Sequence, residues 1–155
     1  MTNVATIDLL DALGLDRGVI VHCDAHGSDN RASLDGIATA PHRLREVGIV
    51  DYVGFQVLLK LMQETDHVWA KISSSYRLLD QGQPYRQMTL LAWALIETRA
   101  EGVVWGTNWP HPMLWGHPMP NDADLFDQFM DWDSDDATRW EALVTNPETL
   151  YGFIP

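Results

Sequence analysis

Apolar residues recur along the chain with two spacings, one typical of helices and the other typical of strands. Phe55, Leu58, Leu59 and Met62 follow the i, i+3, i+4, i+7 spacing of an amphipathic helix. Residues 67–72 alternate as in a strand with one buried face. The whole pattern predicts helices around residues 7–13, 31–40, 55–62, 88–96, 121–130 and 140–144, strands at residues 18–22, 44–50, 67–72 and 103–105, and a terminal turn at residues 147–151.

The predicted helix ends coincide with residues that favour starting or stopping a helix. Gly14 follows the first helix and Pro41 follows the second, in which Leu34 and Ile37 are expected to face inward. Short polar side chains before a helix can accept hydrogen bonds from its free N–H groups. The predicted caps are Ser28, Asp29 and Asn30 for the second helix, Asn121 for a later one, and Asp133 or Ser134 for the last.

Strands and helices alternate from one end of the chain to the other. Such alternation is typical of right-handed βαβ units on a parallel sheet. We count about four strands, whereas a (β/α)8 barrel has eight strands and about 250 residues, and four strands cannot close into a barrel. The prediction is therefore an α/β fold with about four parallel strands and flanking helices, forming one domain over residues 1–155.

The composition is that of a globular, acidic chain. Hydrophobic residues make up 46% of the sequence, and most of the seven tryptophans are expected in the core. The net charge of −12 repels phosphate backbones and anionic lipid, so neither nucleic acid nor a membrane is an expected partner. The aspartates from Asp122 to Asp136 lack the spacing of a calcium loop, and we expect them on a solvated helix face.

Cysteine usage and the N-terminal residues indicate the compartment. Cys23 is the single cysteine, which excludes an intrachain disulfide framework. The first residues lack the basic and apolar regions of a secretory signal, and no apolar run approaches the roughly 20 residues of a membrane span. We therefore expect a soluble, cytoplasmic protein.

Two polar residues follow the strand at residues 103–105, in a proline-rich turn. Because ligands bind at the carboxyl ends of strands in parallel α/β proteins, Asn108 and His111 are candidate site residues. The amide of Asn108 can hydrogen-bond a water but cannot take its proton; alternatively, it satisfies backbone groups of the turn. His111 can donate to a substrate oxygen, or it packs between Trp109 and a neighbouring helix.

Two further groups of residues lie at predicted strand ends. Tyr76 and Arg77 follow the strand at residues 67–72, and the planar guanidinium of Arg77 suits two-point binding of a carboxylate. The alternative for Arg77 is a surface arginine that balances an acidic protein. His22, Cys23, Asp24 and His26 follow the first strand and include groups that bind zinc. In an extended segment, however, Cys23 faces away from His22 and Asp24.

The run W-G-T-N-W-P-H-P at residues 105–112 resembles the last-strand signature of the amidohydrolase-related family, which includes pyrone-dicarboxylate lactonases. The family pattern has an aspartate at the position of Asn108. Residues 8–50 look like the family's second strand with its loop and helix, and residues 51–155 look like its final third. The resemblance implies an internally shortened member, a partial TIM barrel with the second, third, seventh and eighth strands.

This resemblance implies a hydrolase that opens a lactone or another small, carboxylated cyclic substrate. Asn108, His111 and His26 would then act on the ester and the water, and Arg77 with Tyr76 would bind the substrate. Because Asn108 replaces the family carboxylate and several strands are missing, we expect impaired turnover. The alternative is a non-catalytic remnant that binds a small molecule or a partner.

The resemblance also bears on cofactors and assembly. The His-x-His pair of the wider superfamily has no counterpart here, and pyrone-dicarboxylate-type relatives work without metal. We therefore expect no cofactor, with a divalent metal such as zinc as the open alternative. A shortened sheet exposes edges and apolar faces, so a homo-oligomer is expected.

Overall fold

The computed structural model describes residues 3–22, 27, 29–50, 52–77, 85–112, 114, 116–132 and 135–153. The chain divides into two compact units, Met1–Gln56 and Val57–Pro155. The boundary falls inside one helix, which begins in the first unit and continues in the second.

The first unit contains a parallel pair of strands with a helix between them. Its elements are α1 (Asn3–Ala12), β1 (Gly18–Val21), α2 (Arg31–Thr39) and β2 (Leu44–Val47), with Gly18 opposite Leu44 in the sheet. Apolar side chains from all four elements form its core, namely Leu10, Ala40 and Leu44 with Ile7, Ile20 and Ile37 around them.

Helix α2 shows one correct and one wrong prediction about its inner face. Ile37 packs against the core as expected. Leu34 was expected to face inward, but 56% of its surface is exposed. The helical spacing identifies an apolar stripe, but how much of the stripe is covered depends on which elements pack against it.

Two residues of the predicted cap, Asp29 and Asn30, make side-chain hydrogen bonds near the start of α2. Asn30 does not cap the helix; its Nδ2 donates to the Ile49 carbonyl at 2.7 Å and its Oδ1 accepts from Ile49 N at 3.2 Å. Gly48 permits this contact, since a Cβ there would lie 3.0 Å from Asn30 Oδ1. Asp29 instead accepts from Arg31 N at 3.2 Å, while Ser28 lies outside the described residues.

The second unit repeats the strand–helix–strand arrangement. After α3 (Tyr52–Glu64) come β3 (Ala70–Ile72), a 3-10 turn (Ser75–Arg77), α4 (Arg86–Arg99), a second 3-10 turn (Ala100–Gly102) and β4 (Val103–Trp105). The chain ends with α5 (Asp122–Trp132), α6 (Asp136–Trp140), a π-helical segment (Glu141–Thr145) and α7 (Asn146–Tyr151). Strands β3 and β4 are parallel, with Ala70 opposite Val103.

The predicted α/β fold with about four parallel strands is thus confirmed. In the described part of the chain the strands form two pairs, β1 with β2 and β3 with β4. Each strand is three or four residues long, shorter than the apolar runs suggested. The apolar pattern extends into flanking residues outside these strands, of which His22 still donates its backbone N–H to the Val47 carbonyl at 2.9 Å.

The prediction that most tryptophans belong to the core is wrong. Among the tryptophans that the structure describes, only Trp132 is buried, at 3% exposure. Trp105 is half-buried, with its ring centroid 5.5 Å from that of Phe126 and 5.3 Å from that of Phe129. Trp93 is partly exposed, and its indole N–H donates to the Trp132 carbonyl. The polar N–H allows an indole to lie at the edge of a core.

Two of the late helices begin with side-chain caps. Asn121 caps α5 as predicted, because its Oδ1 accepts from Ala123 N at 3.0 Å. Asp133 and Ser134, the caps predicted for the last helix, lie outside the described residues. Asp135 caps α6 by accepting from the backbone of Ala137 and Thr138, and these hydrogen bonds lower the pKa of its carboxyl.

Asn146 connects the last helix to the start of β4. Its side chain is buried, and Nδ2 donates to the carbonyls of Ala100, at 2.8 Å, and Val103, at 2.7 Å. The Ala100 carbonyl also accepts from Val103 N, whereas the hydrogen bond to the Val103 carbonyl is buried, where a polar group needs a partner. The amide therefore connects α7 to the start of β4, the strand that leads into the loop with Asn108 and His111.

We expect Asn146→Ala to lower the free energy of unfolding by about 2–3 kcal/mol, because two hydrogen bonds are lost and one of them, to the Val103 carbonyl, is buried. Urea denaturation measures the change. Thr149→Ala is the matched control, since its hydroxyl donates to Thr145 O on an exposed surface, and it should change stability by less than about 0.5 kcal/mol. Equal effects of the two substitutions would contradict this role.

Asp29 provides a pH-dependent contact at the start of α2. The side chain of Arg31 donates to both carboxylate oxygens, at 2.8 and 2.5 Å. These hydrogen bonds, followed by that from Arg31 N, lower the pKa of Asp29 from 3.8 to about 2.

Because the pKa of Asp29 is lower in the folded state, its contribution to stability is complete above about pH 4 and is lost as the pH falls towards 2. An NMR titration of the Asp29 carboxyl carbon should show the lowered pKa. Arg31→Gln should return the pKa towards 3.8, and an unchanged titration in that variant would refute the assigned cause.

Candidate functional site

The loops that follow β3 and β4 lie side by side. In a parallel pair, both carboxyl ends are at the same edge of the sheet. The ladder ends with Ile72 opposite Trp105, and Gly106 N donates to the Ile72 carbonyl at 3.2 Å. The residues after Ile72 and Gly106 therefore leave the sheet at neighbouring points.

The turn after β4 presents two polar side chains from left-handed backbone positions. Asn108 has φ 69° and His111 has φ 55°, and His111 N donates to the Asn108 carbonyl at 2.8 Å. Asparagine and histidine are enriched among the non-glycine residues that adopt this conformation. The peptide bond between Trp109 and Pro110 is cis. This compact turn directs Asn108 and His111 towards the loop after β3.

Tyr76 joins the two loops. Asn108 Nδ2 donates to Tyr76 Oη at 3.0 Å, and His111 Nδ1 lies 3.1 Å from the same oxygen. The amide N–H donates to Tyr76 Oη, and the same hydroxyl can donate to or accept from His111 Nδ1, according to which ring nitrogen carries the hydrogen.

The other ring nitrogen of His111 faces a carboxylate. His111 Nε2 lies 3.2 Å from Asp122 Oδ1, at the first residue of α5. The two atoms are buried and within ion-pair distance, but they are not aligned for a hydrogen bond. The His111 side chain is only 3% exposed, whereas that of Asp122 is 42% exposed. Since Oδ1 is buried, the exposed part of Asp122 lies elsewhere on its side chain.

An open depression of about 300 Å³ lies beside this pair. Its lining consists of Trp109, Pro110, His111, Met119, Pro120 and Asp122. Trp109 is 74% exposed and Met119 is also exposed, so the depression has apolar walls with one polar side. Ligand sites typically combine an apolar lining with a few placed polar groups, and about 300 Å³ is the lower end of their size range.

The structure brings together three of the residues singled out from the sequence, Tyr76, Asn108 and His111. Arg77 is exposed and ends the 3-10 turn directly after Tyr76. His26 lies outside the described residues. His111 is buried, in agreement with the interpretation that it packs inside the protein. Its contacts are with Tyr76 and Asp122, however, whereas Trp109 is exposed.

Sequence reasoning missed Asp122. It was predicted on a solvated helix face with the other late aspartates, and for this residue the prediction is wrong because Oδ1 is buried against His111. Acidic residues are common in the first turn of a helix, where they complement the helix dipole. Nothing in the local sequence therefore distinguishes Asp122 from the neighbouring aspartates.

The metal interpretation gains no support in the described part of the chain. No group of three His, Cys, Asp or Glu side chains there is close enough to hold a metal ion. His22 Nε2 is 2.8 Å from the Gly27 carbonyl, while Cys23, Asp24 and His26 lie outside the described residues.

Comparison with known proteins identifies the family. Residues 46–153 match the Amidohydrolase family, and the chain belongs to it. It is 34% identical over 106 residues to a 4-sulfomuconolactone hydrolase from Hydrogenophaga intermedia, covering 68% of this chain and 35% of that protein. It is 36% identical over 110 residues to a 2-pyrone-4,6-dicarboxylate hydrolase from Comamonas testosteroni, covering 66% and 36%. The chain thus spans about a third of these relatives.

A solved structure supports the fold. The apo crystal structure of an Agrobacterium tumefaciens protein superposes with a TM-score of 0.56 at 20% sequence identity, covering 97% of this chain and 85% of that one. This likeness supports the α/β fold alone. None of the described helices has the length and apolar character needed to cross a membrane.

Proposed function

We propose that this protein is a lactone hydrolase that acts on a small, carboxylated cyclic ester. The observation that supports the proposal most is the buried His111, which lies between Tyr76 and Asp122 beside an apolar-walled depression. The site lies after two parallel strands, where ligands bind in such folds. Two relatives of the same family are named as hydrolases of lactone-type substrates.

The depression suits a flat ring. The exposed indole of Trp109 offers an aromatic face, and Met119 offers an apolar contact opposite a polar side formed by His111 and Asp122. A planar unsaturated lactone has an apolar ring face and a polar ester edge. We propose that the ring packs on Trp109 with its ester towards the polar side. His26, which lies outside the described residues, stays a candidate from the sequence for orienting the ester.

Arg77 is the proposed binding group for a substrate carboxylate. It follows Tyr76 directly and is exposed at the end of its turn. The guanidinium can donate two parallel hydrogen bonds to one carboxylate. In a chain with a net charge of −12, such a local cation is needed to attract an anionic substrate.

Asn108 limits the proposed turnover. A general base must accept a proton near neutral pH, and the amide of Asn108 cannot. The amide at position 108 therefore favours a second candidate function, that of a small-molecule-binding domain that binds the lactone without hydrolysing it. Binding without turnover would raise the melting temperature in 2-pyrone-4,6-dicarboxylate and leave that compound intact.

We expect Asn108→Asp to raise kcat/KM for 2-pyrone-4,6-dicarboxylate by about 10²-fold or more, because it supplies a carboxylate that can take a proton. Loss of the pyrone absorbance measures the rate. Gln87→Glu makes the same chemical exchange on the exposed side of α4 and should leave the rate unchanged. Undetectable hydrolysis in both the parent and Asn108→Asp would reject the hydrolase proposal.

Arg77→Lys should raise KM for 2-pyrone-4,6-dicarboxylate by about tenfold or more, since lysine cannot reproduce the two-point contact. KM for unsubstituted 2-pyrone should not change. Arg86→Lys, an exposed arginine at the start of α4, is the matched control. A parallel rise of KM for both compounds would contradict carboxylate recognition by Arg77.

A further inference from the structure

We propose that Asp122 is the carboxylate that takes the proton of the attacking water, in place of the carboxylate that is absent at position 108. Tyr76 and Asn108 are then positioning residues that act on Asp122 through His111. The inference rests on the proposed lactone hydrolysis and assigns a catalytic residue to it.

The location of Asp122 supports this role. Its carboxyl side chain lines the depression and is partly exposed, whereas Oδ1 is buried against His111. One end of the carboxylate is thus fixed within the protein while the side chain still reaches the depression. A carboxylate that both contacts solvent and is held on one side is suited to orient a water.

The contacts of His111 bear on which of its ring nitrogens carries the hydrogen beside Asp122. Tyr76 Oη accepts from Asn108 Nδ2, and in the proposed arrangement its own hydrogen points to His111 Nδ1. The neutral ring then carries its hydrogen on Nε2, 3.2 Å from Asp122 Oδ1. In this tautomer a positive ring edge faces the carboxylate; the opposite tautomer would place a lone pair there.

The proposed step is balanced in atoms and charge. A water donates one hydrogen to the Asp122 carboxylate, and its oxygen adds to the lactone carbonyl carbon as that proton moves to the carboxylate. The bond between the carbonyl carbon and the ring oxygen then breaks. The ring oxygen takes the proton from Asp122, which restores the carboxylate and leaves the hydroxy acid.

The first test measures turnover of 2-pyrone-4,6-dicarboxylate by variants of the full chain. Asp122→Asn should lower kcat by about 10²-fold or more with little change in KM, and Asp122→Glu should retain part of the rate. Asp127→Asn removes an exposed carboxylate from the same helix and should have no effect. An unchanged kcat in Asp122→Asn would overturn the proposal and leave lactone hydrolysis intact.

A double-mutant cycle separates the two carboxylate positions. In the Asn108→Asp background a second carboxylate is available, so Asp122→Asn should reduce kcat by a smaller factor than in the parent. Equal factors in both backgrounds would overturn the proposal that the Asp122 carboxylate takes the role of a carboxylate at position 108. Turnover seen only after Asn108→Asp would also overturn the role of Asp122, whereas no turnover in either chain would reject the proposed function itself.

A measurement independent of turnover tests the positioning residues. NMR of ¹⁵N-labelled histidine, with His111 assigned from a His111→Gln variant, should show a neutral ring protonated at Nε2 in the parent. A ring protonated at Nδ1 would overturn the arrangement. Tyr76→Phe removes the hydrogen bond to Nδ1, and it should lower kcat about tenfold without raising KM; an unchanged kcat would remove Tyr76 from the mechanism.

Discussion

The parallel pairing of β3 with β4 is the constraint on which the candidate site depends. Three residue pairs set the register, from Ala70 with Val103 to Ile72 with Trp105. Both strands consequently end at the same edge, and Tyr76 can reach Asn108 and His111, which are more than 30 positions later in the chain. Asn146 secures this arrangement by donating to carbonyls on both sides of the start of β4.

The polar groups of the site are held at some cost in free energy. Asn108 and His111 both have positive φ, a conformation that costs about 1–3 kcal/mol at each non-glycine residue. Burying an imidazole without partners would add a further penalty. Tyr76 on one side of the ring and Asp122 on the other reduce that penalty, and the same contacts orient His111.

The amide at position 108 changes the direction of hydrogen bonding as well as the charge. Asn108 Nδ2 donates to Tyr76 Oη, which leaves the phenol hydrogen available for His111 Nδ1. A carboxylate at the same position could only accept, and the phenol hydrogen would then point to residue 108. The amide in place of a carboxylate thus influences which nitrogen of His111 carries the hydrogen, and Nε2 is the nitrogen that faces Asp122.

Much of the fold could be predicted because helix and strand spacings are local properties of the sequence. The helices and strands occur near their predicted places, and the turn at residues 106–112 brings Asn108 and His111 to a strand end as expected. Burial was predicted less well, as Leu34 and Trp109 show. A side chain's exposure depends on what packs over it, which no local spacing specifies.

The sequence by itself determined the alternation of strands and helices, the polar turn after β4 and the likeness to amidohydrolases. Only the tertiary structure decided that Asp122 approaches His111 and that Tyr76 lies between the two loops. The physical reason is distance along the chain. Hydrophobic periodicity and capping act over a few residues, whereas these contacts arise when strand pairing and helix packing bring remote segments together.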